Sequence, residues 1–193
     1  MSGIGIIHNP FAKGNLRKPG LGLKVSKLVE NVGVFRETRN INELPDVARE
    51  FLEKGIDTIA VNGGDGTLHM AITAFVKVYG DRPLPKIMSL RGGTMNTMSN
   101  SLKIKGSTLS IIRKAVKKYE KGETFREKRQ HLIKVNDKYG FMSGAGIIAK
   151  FLDVYYSGSS TGPWQAVKLI NKALASAAFR TEFTRELFKP TAS

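Results

Sequence analysis

The nearly all-apolar run Ile56–Val61 leads through Asn62 into Gly63-Gly64-Asp65-Gly66-Thr67, with three glycines in four positions. An extended segment this apolar is buried on both faces, as in a parallel sheet covered by helices. The glycines then let the backbone turn sharply and approach a ligand with no Cβ in the way. A helical pattern follows from about Thr67 to Val78, so the loop lies at a strand's carboxyl end and a helix's start, where ligands bind in open α/β sheets. Amides at a helix N-terminus, with its partial positive charge, suit phosphate oxygens, and Thr67 adds a hydroxyl. Asp65 would repel phosphates unless a divalent cation or a proton intervenes, which points to metal-assisted phosphate chemistry. The plain alternative is a tight glycine turn closed by an aspartate cap.

Two further bends fall on the same edge of such a sheet. Lys86–Leu90 reads as a strand, and Arg91-Gly92-Gly93-Thr94-Met95-Asn96 repeats the pattern of glycines and a threonine before a helix from about Thr94. Gly3–Ile7 reads as a strand ending in His8-Asn9-Pro10. Asn9 can bond a phosphate or ribose, and Lys13 can neutralise phosphate charge. Between these bends, residues 21–31 and Asn42–Lys54 have helical periodicity and Val32–Thr38 reads as a strand. Strands alternating with helices predict βαβ crossovers, a parallel sheet and a three-layer α/β sandwich. Beyond it, Ser107–Gly122 is an amphipathic helix with a Ser/Thr start and a Gly end. Gln130–Asn136 and Tyr139–Ser143 read as strands joined at Asp137-Lys138, and residues 145–156 and 164–180 read as helices. The expected division is an α/β domain over 1–125 and the beginning of an incomplete, β-rich second domain over 126–193.

Asn9-Pro10, Thr38, Gly63-Gly64-Asp65-Gly66-Thr67 and Gly93-Thr94-Met95-Asn96 stand in an order and spacing that resembles the diacylglycerol kinase catalytic domain, a family that includes bacterial lipid kinases and sphingosine kinases and is distantly similar to NAD kinases. The resemblance covers about residues 3–150. It implies a lipid kinase that passes the γ-phosphate of ATP to a lipid hydroxyl such as that of diacylglycerol, with Mg²⁺. It implies that Asn9, Lys13, Thr38, the 63–67 loop (Gly63, Gly64, Asp65, Gly66, Thr67), Gly93, Thr94 and Asn96 hold the nucleotide. Asp65 would be the catalytic and metal-binding carboxylate. The family's pattern has acidic residues where this chain has Met70, Thr97 and, near the second domain, Lys150. The family's main β-sandwich would lie past Ser193, so the sequence reads as a truncated kinase.

Composition narrows the alternatives. The 193 residues include no cysteine, which excludes disulfides, Cys-ligated zinc and a thiol nucleophile. No apolar run reaches the length of a membrane span. The apolar start without a basic leader favours a cytoplasmic protein, peripheral at the membrane if the substrate is lipid. The net charge of +15 draws polyanions: nucleotide phosphates, an anionic membrane surface, or nucleic acid, for which no specific motif exists. Three other readings stay open: an NAD-kinase-like phosphotransferase, a catalytically impaired nucleotide- or anionic-lipid-binding module, and a nucleic-acid binder. Self-association as a homodimer is open as well. Gly144-Ala145-Gly146-Ile147-Ile148-Ala149 matches a dinucleotide fingerprint formally, but it follows a hairpin strand and fits close packing better.

Overall fold

The computed structural model describes residues 3–141. The chain divides into two compact units, Met1–Phe141 and Met142–Ser193. The helices expected over 145–156 and 164–180, the 144–149 motif and Lys150 lie outside the described residues.

The first unit is built on a four-stranded, all-parallel sheet in the order β2-β1-β3-β4, with β1 Ile4–His8, β2 Gly33–Glu37, β3 Thr58–Asn62 and β4 Lys86–Ser89. The chain starts in the middle of the sheet, runs outward to β2, then crosses back past β1 to β3. This reversal makes the gap between β1 and β3 a topological switch point. The register pairs His8 with both Glu37 and Asn62, and Val61 with Ser89. All four carboxyl ends therefore reach one rim.

Alternation along the strands divides the core. Ile4 and Ile6 of β1 and Ala60 of β3 pack against α2 (Leu21–Val29) and α6 (Thr108–Glu120) through Leu21, Val25, Val29, Ile112, Ala115 and Val116. Ile7, Ile59 and Val61 face the other way, onto α3 (Leu44–Glu53) and α4 (Asp65–Tyr79). These are the three layers the strand–helix alternation predicts. Phe51 and Phe75 are fully buried and meet edge to face, with centroids 6.0 Å apart. Each contributes about 2–3 kcal/mol by burial. Phe51 lies so close to β1 that a Cβ on Gly5 would come 2.2 Å from its ring, so glycine is needed there for space.

Local chemistry sets the element ends. Asn40 and Glu43 form a capping box over a 3-10 turn at Ile41–Glu43, which leads into α3 with proline in its first turn. The helix expected from Asn42 thus begins as a tighter turn. The helix expected from Thr94 begins at Thr97, as the five-residue α5 (Thr97–Ser101), because Asn96 adopts a left-handed conformation at φ 50°. A one-turn helix, α1 (Lys13–Leu16), was not signalled by periodicity.

A two-stranded hairpin, β5 (Ile133–Val135) and β6 (Lys138–Gly140), follows α6. Its turn is Asn136-Asp137, one residue earlier than the sequence suggested, because Asn136 takes φ 51°. The hairpin is fastened to α4 by Thr73, whose hydroxyl donates to Tyr139 O at 3.1 Å and accepts from Tyr139 N at 2.9 Å.

Candidate functional site

Three bends leave the carboxyl rim of the sheet: residues 9–16 after β1, 63–67 after β3 and 91–97 after β4. The parallel pairing continues one step past the strands. Asn9 N donates to Asn62 O at 3.0 Å, Thr38 N to His8 O at 2.8 Å, and Leu90 N to Val61 O at 2.9 Å. The bends therefore start from fixed, neighbouring positions.

Their glycines let them touch. Gly14 N donates to Gly92 O at 3.0 Å, joining the first bend to the third. A Cβ on Gly92 would lie 2.6 Å from Asn62 Oδ1 and 2.8 Å from both Asn15 Nδ2 and Gly63 N. A Cβ on Gly93 would lie 2.5 Å from the Gly64 Cα. Real side chains do not fit in these gaps, so Gly92 and Gly93 are where the second and third bends close on each other.

Side chains complete the join. Asn9 Nδ2 donates to Thr67 Oγ1 at 2.9 Å, while Asn9 Oδ1 accepts from Phe11 N at 2.9 Å. The Asp65 carboxylate accepts from Thr97 N at 2.9 Å and from Met98 N at 3.2 Å, so it caps α5 from the neighbouring bend. Asn96 turns back on its own bend: Oδ1 accepts from Gly93 N at 3.0 Å and Nδ2 donates to Gly93 O at 2.9 Å. Ser89 and Ser99 are linked through their hydroxyls at 2.7 Å, which fixes α5 to β4.

A cleft of about 270 Å³ opens beside this join, between the end of β2 and the first turns of α4. Asn9, Thr38, Gly66 and Thr67 line it, four of the residues singled out by sequence. Gly63, Gly64, Asp65, Gly93 and Asn96 lie along the adjoining seam between the second and third bends. Thr94 sits half-buried in the third bend, and Lys13 is exposed on α1; neither lines the cleft. The first amides of α4 have no partner within the helix, and they belong to the Asp65 bend. A larger surface hollow of about 480 Å³ lies elsewhere, lined by Arg49, Lys77 and Arg82 on α3, α4 and the turn after it, away from all three bends.

Sequence reasoning missed several contributors. Asn15 is buried on α1 and its Nδ2 donates to Asn9 O at 2.8 Å and Asn62 O at 2.9 Å, clamping the two strands where they part. Asn62 is fully buried, and its Nδ2 lies 2.7 Å from His8 Nδ1. Burial lowers the His8 pKa below the usual imidazole range, opposed by the nearby Glu37 carboxylate. An Asn five residues after Asn-Pro carries no recognisable signal by itself, which is why the clamp was not legible. Ile41, Leu44 and Met70 give the cleft an apolar wall. His69, on α4, stands against Gly140, where an added Cβ would meet its ring at 3.1 Å.

Asp65 is the sole acidic side chain in the three bends. Among the described residues no group of three or more His, Asp or Glu is placed to hold a metal by protein ligands alone.

Comparison with known proteins follows the same residues. The model of the diacylglycerol kinase catalytic domain matches residues 4–124. Among solved structures, a diacylglycerol kinase from Bacillus anthracis str. Sterne is similar in fold, with a TM-score of 0.56 and 20% identity over 81% of this chain and 53% of that one. A putative diacylglycerol kinase from the same organism is 21% identical over 61% of this chain and 42% of that one, with a TM-score of 0.48. The chain thus spans about half the length of the first of these structures. No curated protein sequence matches it. The family match takes in all three bends, β1 to β4 and α6, and the chain belongs to the diacylglycerol kinase catalytic domain family.

Proposed function

We propose that this chain binds ATP across the rim formed by the three bends and serves a lipid kinase reaction, in which a lipid hydroxyl such as that of diacylglycerol takes the γ-phosphate. The observation that carries the reading is the convergence of the Asn9, Asp65 and Gly93 bends, closed by contacts that only glycine permits. A triphosphate needs several donors converging from different backbone segments, and this rim supplies them. The cleft lined by Asn9, Thr38, Gly66 and Thr67 is the space for the rest of the nucleotide.

The chain's own residues have distinct tasks in this reading. The amides of the Asp65 bend at the start of α4 donate to phosphate oxygens, and the helix dipole adds to their pull. Thr67 Oγ1, held by Asn9, presents its hydroxyl at the same place. Lys13, Gly93 and Thr94 border the phosphate tail, and Asn96 keeps the Gly93 turn in shape. These groups are positioned before the substrate arrives, so their favourable interaction with charge developing on the phosphoryl group costs little reorganisation.

Mg²⁺ fits the donor set through one residue. Each Asp65 oxygen accepts one amide hydrogen bond and keeps a further lone pair. Magnesium commonly takes one or two carboxylates and fills its remaining positions with phosphate oxygens and water. When bound it would offset the negative charge of the phosphates.

One observation favours a second reading, a nucleotide-binding module with impaired transfer. Met70, a thioether, lines the cleft where the family pattern has a carboxylate, and Thr97 stands at another such position beside Asp65.

The test is transfer of label from γ-labelled ATP to diacylglycerol in mixed micelles, with NAD as a competing acceptor and nucleotide affinity measured alongside. Labelled lipid is expected, with label lost in Asp65→Ala. Nucleotide binding without transfer selects the second reading, and label on NAD alone moves the acceptor. Absence of nucleotide binding overturns both readings.

A further inference from the structure

The one buried side chain of α1 is polar. Lys13 and Leu16 are exposed, whereas Asn15 is 5% exposed. Both amide hydrogens of Asn15 are committed, since Nδ2 donates to Asn9 O at 2.8 Å and to Asn62 O at 2.9 Å. This pair fixes the orientation of the side-chain amide, because turning it over would set Oδ1 against two carbonyl oxygens. Oδ1 is left buried with no hydrogen-bond partner among the described residues.

A buried acceptor without a partner costs stability, so Asn15 is a poor choice if holding the fold is its whole task. The two carbonyls do not need it either. Asn9 O also accepts from Ala12 N at 3.3 Å, and Asn62 O also accepts from Asn9 N at 3.0 Å. What Asn15 adds is direction. The Asn62–Gly63 peptide is trans and planar, so a carbonyl held toward α1 turns the Gly63 N–H to the opposite side. On the other arm Asn15 holds the main chain of Asn9, whose Nδ2 donates to Thr67 Oγ1 at 2.9 Å. The two arms meet again in the second bend, where a Cβ on Gly63 would lie 2.6 Å from Thr67 Oγ1. The third bend closes on the same amide: a Cβ on Gly92 would lie 2.8 Å from Asn15 Nδ2, and the residue before Asn15, Gly14, donates from its N to Gly92 O at 3.0 Å.

We infer that Asn15 is a positioning residue for the triphosphate: touching no ligand itself, it aims the Gly63 N–H through Asn62 and the Thr67 hydroxyl through Asn9. This role rests on the ATP reading proposed above and gives α1 a task within it. Donors already aimed at a phosphate need no reorganisation when it arrives, and a small error in their placement is enough to weaken binding. A single turn of helix that no periodicity calls for is thereby explained, because it delivers one buried amide to the point where β1 and β3 part.

The experiment is an ATP–Mg²⁺ titration of the full chain and two variants, with thermal melts and amide spectra of each. Asn15→Leu fills a similar volume, leaves each carbonyl its backbone donor and removes the unpaired oxygen, so it should melt close to the parent. Its ATP affinity should fall by about tenfold or more, and the Gly63 amide resonance should move in the unliganded chain. Asn15→Asp keeps the shape; ionised, it offers only acceptors to the two carbonyls, and protonated it regains one donor. Burial against carbonyl oxygens favours the protonated form, so its affinity relative to the parent should recover by about threefold or more between pH 7.5 and 5.5. A merely structural role produces no such recovery. ATP binding like the parent's in folded Asn15→Leu, an affinity loss no greater than the loss of folded chain, an unmoved Gly63 amide, or an Asn15→Asp profile parallel to the parent's would each overturn the inference. If Asn15→Leu does not fold, the Asn15→Asp profile decides alone. A parent that binds no ATP refutes the ATP reading and this role with it, whereas a parent and variants that bind ATP equally refute the role of Asn15 only.

Discussion

The carboxylate of Asp65 holds two consecutive backbone amides of the neighbouring bend, Thr97 N at 2.9 Å and Met98 N at 3.2 Å. The residue that the sequence marks for catalysis is therefore also the cap of α5, and substitution acts on both roles. Asp65→Ala leaves two amides without their partner and should lower stability by about 1–2 kcal/mol, read from urea denaturation. Asp65→Asn keeps one acceptor but turns an amide donor toward the other N–H, so it should be similarly unstable. Loss of phosphoryl transfer well beyond the folded fraction lost, in either variant, identifies a role for the charge itself.

Gly92 is the tightest point between the bends. Gly92→Ala drives a methyl group into Asn62, Asn15 and the backbone of Gly63 at once. Asn15 and Asn62 are held by their own hydrogen bonds and Gly63 N is main chain, so the bends must move apart. We expect a stability loss of about 1–3 kcal/mol and ATP affinity lower by about tenfold or more. Gly66, where an added Cβ meets nothing within 4 Å, is the control for steric effects on the fold: Gly66→Ala should leave the urea midpoint nearly unchanged.

Gly5 and Phe51 form a second steric pair, remote from the rim. Gly5→Ala should destabilise by about 2–3 kcal/mol because the methyl overlaps the Phe51 ring. Phe51→Leu also destabilises alone, but the double variant should recover part of the loss. A double-mutant cycle in urea measures that coupling, and strict additivity would show that the two residues do not share the space.

His8 gives stability a pH dependence of known sign. Burial lowers its folded-state pKa, with Glu37 acting weakly in the opposite sense. The unfolded chain therefore binds the proton first as pH falls. This contribution is complete above the ordinary imidazole value of about 6.5 and is lost progressively as pH drops toward the folded-state value. Urea midpoints measured between pH 7.5 and 5 should fall for the parent and fall less for His8→Gln.

Much of this architecture was legible because its signals are local and periodic. The apolar strand before Gly63 and the spacing of Val47, Ala48 and Phe51 in α3 reflect burial directly, and the structure places them as expected. The second and third bends were located by glycine and threonine at strand ends, and the first by Asn9-Pro10 after the first strand. What escaped was set by tertiary contact. Asn96 folds back on Gly93 and delays α5 by three residues, and Asn136 takes a left-handed conformation that shifts the hairpin turn by one. Asn15 has no motif, since its clamp on Asn9 and Asn62 exists only once β1 and β3 are paired.

Chemical-shift mapping of the amides during an ATP–Mg²⁺ titration tests the central claim most directly. The account predicts saturable shifts concentrated on Asn9, Thr38, residues 63–67 and Gly93-Thr94, moving with one dissociation constant. Shifts confined to the opposite rim, around Gly3, Gly33 and Asp57, or scattered over the basic face of α6 without saturation, would contradict it.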